Sequence, residues 1–60
     1  MEAKFVIFID TAGKYRFRLV APNGEPIAAS EGYNSRQACD DGIAAVRKHA
    51  PIAKIEDKTK

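Results

Sequence analysis

GKYRFRLVAPNGEPIAASEGY, residues Gly13 to Tyr33, sets alternating apolar runs between two glycine-ended turns, the pattern of a β-meander. Strand side chains alternate with period two, so Tyr15, Phe17, Leu19 and Ala21 share one face and Lys14, Arg16, Arg18 and Val20 the other. This second strand runs from Lys14 to Ala21. Pro22-Asn23-Gly24 then forms a three-residue loop, with Pro22 pre-set for its first position and Gly24 supplying the left-handed third. That loop sets Leu19 opposite Ile27 and Phe17 opposite Ala29 in a third strand from Glu25 to about Glu31, placing Ile27 in the core. Asn-Gly is also the signature of a two-residue hairpin turn, which would move Ile27 to the outer face.

Upstream, Ala3 to Ile9 is rich in β-branched and aromatic residues and reads as the first strand. Its connection to the second strand is chosen by matching faces. A two-residue loop sets Ile7 against Arg16 and buries charge. A Thr11-Ala12-Gly13 loop pairs Ile9 with Tyr15, Ile7 with Phe17 and Phe5 with Leu19. Gly13 then takes the left-handed position.

Downstream, Gly32 ends the third strand, and Asn34 or Ser35 caps a helix from Ser35 to His49. Its inward stripe is Cys39, Gly42, Ile43, Val46 and Ala50. Asp40 and Asp41 toward its start, with Arg47, Lys48 and His49 in its last turn, suit the helix dipole, and Pro51 stops it. A mid-helix glycine costs about 0.5–1 kcal/mol relative to alanine, so Gly42 implies a close approach of helix to sheet. Ile52 to Glu56 reads as a short last strand before the solvated tail Asp57-Lys58-Thr59-Lys60. The architecture is α+β, one β-β-β-α-β unit over residues 1–60, with an antiparallel three-stranded meander packed on one helix.

A chain of 60 residues hides only about 60% of the surface its unfolded form exposes. One Cys and one His are too few for a disulfide or a four-ligand zinc site, which leaves oligomerisation as the common remedy. A formal charge of +2 is far from the dense positive field of dedicated nucleic-acid binders. The apolar run Phe5 to Ile9 is too short for a membrane span or signal-peptide core, and the single unpaired thiol suits the cytoplasm.

Little chemistry is encoded. Cys39 and His49 stand about 15 Å apart along the helix axis at about 1.5 Å per residue, too far for a nucleophile and its base. Cys39 therefore reads as a packing residue and His49 as a dipole partner. Glu31, Asp40 and Asp41 point in different directions and show no calcium-loop or zinc-ligand spacing, so no metal and no cofactor are expected. Gly13, Gly24 and Gly32 are explained by turns and a strand end, not by a phosphate-cradling motif. The chain reads as a non-enzyme. Its one candidate surface is the outer sheet face, where Lys4, Phe8, Arg16 and Arg18 interleave cations with an aromatic ring, an arrangement that suits weak nucleic-acid binding. The alternative is an ordinary solvated face with cations lying over Phe8 and Arg stems covering Val6.

Phe5, the Gly13 to Leu19 run, Asn23-Gly24, Ser30-Glu31-Gly32-Tyr33, Gly42-Ile43 with Val46, and Ala53 to Asp57 together resemble the YegP-like family of small bacterial proteins, a domain of unknown function. The resemblance spans nearly the whole chain. It implies units that assemble in pairs, as tandem repeats or as two subunits, and exchange their last strands within a shared sheet. For this single-repeat chain it implies a homodimer with Ile52 to Glu56 swapped into the partner, and it carries over no functional residues.

Overall fold

The computed structural model describes residues 2–59, so Met1 and Lys60, at the ends of the expected domain and tail, lie outside the described residues. Three strands, β1 (Lys4–Ile9), β2 (Tyr15–Val20) and β3 (Pro26–Ala29), are followed by one helix, α1 (Arg36–His49), and a 3-10 turn at Ala50–Ile52. The sheet is antiparallel in the order β1-β2-β3.

Both loops form as three-residue connections. Asp10 N–H donates to Lys14 C=O and Gly13 N–H to Asp10 C=O, with Gly13 at φ 79°; Ala21 and Gly24 repeat the arrangement, with Gly24 at φ 91°. The Asp10 carboxylate tightens the first loop by accepting from the N–H groups of Ala12 and Lys14 at 2.9 Å each. The β1–β2 register is the expected one, with Phe5 opposite Leu19, Ile7 opposite Phe17 and Ile9 opposite Tyr15.

The β2–β3 register differs from expectation. Val20 pairs with Pro26, but Leu19 pairs with Ala28 and Arg18 with Ala29, because Ile27 is an extra residue that bulges out of the ladder. Ile27 is consequently 61% exposed and outside the core. Phe17 meets Ser30 instead of Ala29: Ser30 N–H donates to Phe17 C=O, and the Ser30 hydroxyl accepts from Phe17 N–H at 2.9 Å. The ladder resumes past Gly32, where Tyr15 and Tyr33 exchange both backbone hydrogen bonds. Val20, expected on the outer face, is buried in the central strand between Lys4 and Pro26.

Ser35 caps α1 in an extended conformation, its hydroxyl accepting from Ala38 N–H at 3.1 Å. The first turn contains no acidic residue. Asp40 and Asp41 sit one turn later, where Arg36 and Gln37 donate to them across i,i+4 spacing. Of the expected stripe, Cys39 is fully buried, Gly42, Ile43 and Val46 are half-buried, and Ala50 is exposed in the 3-10 turn.

Gly42 explains the contact between layers. A Cβ there would lie 2.5 Å from Tyr33 Oη and 3.2 Å from Phe17 Cε2, so only glycine lets the helix settle on these rings. Tyr33 lies parallel to Phe17 with ring centroids 6.3 Å apart, and Phe5 meets Phe17 edge-on at 5.8 Å. The core is small: among the described residues only Phe17, Val20 and Cys39 are buried apolar side chains.

The expected last strand does not form within the single chain. Ile52 closes the 3-10 turn, Ala53 turns extended at ψ 135°, and residues 53–59 pair with no strand. A strand needs a ladder partner, and the sheet ends at β1 and β3.

Candidate interaction surface

Period-two alternation gathers Lys4, Phe8, Arg16 and Arg18 on the outer face as expected, with Phe8 opposite Arg16 and Val6 opposite Arg18. The cation on the aromatic ring is the diagonal one: the Arg18 guanidinium stands 4.3 Å from the Phe8 centroid. Such a contact contributes about 0.5–1 kcal/mol at an exposed site. Lys4 is exposed at the strand end.

Arg16 is committed to the fold. Its Nε and Nη2 donate to Ser30 C=O at 3.2 and 2.8 Å, and its Nη1 lies 3.7 Å from Asp10 Oδ2. The guanidinium thus bridges the first hairpin loop and the irregular end of β3. Ser30 completes the patch by accepting Phe17 N–H and donating its own hydroxyl proton to Glu31 C=O. Where β3 departs from regular pairing, side chains replace the missing ladder bonds. Ser30→Ala leaves Phe17 N–H without its acceptor and is expected to cost about 1–3 kcal/mol in a denaturant titration. An unchanged midpoint would show that water replaces the hydroxyl.

The other sequence candidates do not converge. Cys39 is buried, while His49 lies exposed at the end of the same helix. Glu31, Asp40 and Asp41 are exposed, and the described residues contain no metal-capable group of three or more His, Cys, Asp or Glu side chains. An open hollow of about 360 Å³ lined by Ala44, Arg47 and Lys48 has no acid, nucleophile or aromatic wall. No described helix is long and apolar enough to cross a membrane.

Sequence reading missed Tyr33 and Ser30. Gly42 was the signal for the first, since a mid-helix glycine demands a bulky partner. Ser30 had none, because its role depends on the bulge.

A model of the domain of unknown function DUF1508 matches residues 10–57. The chain belongs to the DUF1508 family. A UPF0339 protein of the archaeon Methanosarcina acetivorans is similar, 51% identical over 53 residues that cover 88% of this chain and 91% of that protein. A UPF0339 protein of Stutzerimonas stutzeri is 49% identical over 51 residues, covering 85% of this chain but 46% of that one. The solution NMR structure of a protein from Haloferax volcanii shares the DUF1508 fold, with a TM-score of 0.87 at 44% identity, covering 93% of this chain and 95% of that one. Kinship with the YegP-like proteins of unknown function agrees with this membership. The archaeal relatives extend the DUF1508 family beyond the bacteria that the resemblance suggested.

Proposed function

We propose that this chain is one half of a non-enzymatic homodimeric module, in which Ile52 to Glu56 leaves its own chain and completes the sheet of a partner. The observation that carries this reading is unspent surface. The chain exposes 5077 Å², whereas a compact monomer of its 6.6 kDa exposes about 3,900 Å². The excess of about 1,200 Å² exceeds the roughly 800 Å² that each partner contributes to a standard interface. The radius of gyration agrees: it is 13.0 Å, against about 10 Å for a compact chain of this length.

Much of the surplus is apolar. Ile52 and Ile55 are 78% and 97% exposed on the same segment. The Stutzerimonas relative supports pairing from another side, since one unit fills 46% of its length and leaves room for a second. The lone thiol of Cys39 suits a reducing compartment such as the cytoplasm. Sedimentation equilibrium at micromolar concentration is expected to give twice the chain mass, and a stable monomer would overturn the reading.

Weak nucleic-acid binding is the lesser reading of the outer face, because Arg16 is already held by Ser30 and Asp10. Lys4→Ala/Arg18→Ala spares Arg16 and is expected to leave retention on single-stranded oligonucleotides at low salt unchanged. A steeply salt-dependent retention that the double variant loses would establish phosphate contact instead.

A further inference from the structure

The two free edges of the sheet are unequal. β3 is blunted in every way that edge strands usually are: it has four residues, opens with Pro26, which lacks an N–H, and bulges at Ile27. β1 has none of these defences. Its six residues KFVIFI pair regularly with β2, contain no proline or glycine, and carry one charge, at Lys4.

The direction of its unpaired groups follows from β2. Tyr15 exchanges both backbone bonds with Tyr33, and Phe17 C=O accepts from Ser30, so the odd-numbered residues of β2 bond toward β3. The even-numbered residues Arg16, Arg18 and Val20 therefore bond toward β1, to Phe8, Val6 and Lys4. The peptide groups of Phe5, Ile7 and Ile9 point the other way, out of the sheet. Their side chains lie on the helix-side face, where Ile9 is 61% exposed. A regular apolar edge of this kind invites a further strand and, left bare, aggregation.

We propose that the open edge of β1, at Phe5, Ile7 and Ile9, accepts residues 53–56 of a second copy of this chain. This rests on the dimeric reading and goes beyond it by choosing the edge and the phase of the added strand. Four to five residues extend about 13–17 Å, within the about 20 Å span of a six-residue strand. The incoming segment sets Ala53 and Ile55 on the helix-side face beside Phe5, Ile7 and Ile9, and Lys54 and Glu56 on the outer face. It stops where Asp57 folds into a local turn by accepting from the Thr59 hydroxyl at 2.6 Å and the Thr59 N–H at 2.9 Å. These two bonds, the hydroxyl's first, also hold the exposed Asp57 carboxyl below its ordinary pKa.

The test compares prolines on the two edges of the full chain. Ile7→Pro deletes an outward N–H of β1, whereas Ala29→Pro deletes one of β3; neither donor serves the β1-β2-β3 ladder. Ile7→Pro is expected to halve the sedimenting mass at micromolar concentration while Ala29→Pro stays dimeric. The reverse result, or two dimers, overturns the choice of β1 and leaves the dimer standing. A monomeric wild type removes the dimer itself.

If Ile7→Pro is unfolded, or both variants are monomeric, a disulfide trap decides. Differently tagged Val6→Cys and Lys54→Cys chains are mixed, oxidised and separated without reductant. A band joining the two tags supports the edge, since adjacent strands lie about 4.8 Å apart, within disulfide reach. Absence of that band, or Val6→Cys joined only to itself, overturns it.

Discussion

Ile55→Asp is expected to convert the dimer into monomers, raising the dissociation constant by about three orders of magnitude or more. In the isolated chain Ile55 is 97% exposed, and a polar replacement there changes stability by about 0.5 kcal/mol at most. In the proposed assembly the same side chain is buried against β1 of the partner, and two-fold symmetry doubles the loss. Two isoleucines at about 2 kcal/mol each account for about 4 kcal/mol, equivalent to a factor of about a thousand, before any cost of desolvating two carboxylates. The substitution therefore separates the two states sharply. Sedimentation across a concentration series measures it, and an unchanged dissociation constant would remove the last segment from the interface.

Gly42→Ala is expected to destabilise the fold by about 2 kcal/mol, lowering the melting temperature by about 10 °C. Its sign is informative, because alanine is the better helix former by about 1 kcal/mol and a helix free of the sheet would gain from the change. The added methyl would sit 2.5 Å from Tyr33 Oη and 2.9 Å from Cζ of the same ring, which is stacked on Phe17 and cannot swing aside without disturbing the core. Tyr33→Phe removes the closer of these atoms. In the Gly42→Ala background it should recover part of the loss, so that the two changes are non-additive. A stabilised single variant would mean that helix and sheet pack less closely than the geometry here.

The first hairpin was fully legible, because the alternation of Tyr15, Phe17 and Leu19 leaves only one loop length that keeps charge out of the core. The same reasoning reached the second loop and then failed one residue later. Pro26-Ile27-Ala28-Ala29 carries a single large apolar side chain, so its pattern contains too little contrast to specify register, and a bulge at Ile27 passes unseen. Ile27, expected inside, and Val20, expected outside, are both consequences of burial being set by neighbours across the sheet.

On the outer face, period two placed Lys4, Phe8, Arg16 and Arg18 together, yet it could not tell a free cation from a bound one. Arg16 differs from Arg18 only through Asp10 and Ser30, which lie 6 and 14 residues away in the chain and meet it through the folded loops. The last segment was unreadable for a different reason. Ile52 to Glu56 has the composition of a strand and no ladder partner in its own chain, so its conformation is decided by what it meets.

The most direct measurement is an isotope-filtered NMR experiment on an equimolar mixture of labelled and unlabelled chains, observing contacts from the Ile55 methyl groups. The account predicts intermolecular contacts from Ile55 to Phe5, Ile7 or Ile9 of the partner. Contacts confined to one chain, or an Ile55 that touches only solvent, would contradict it.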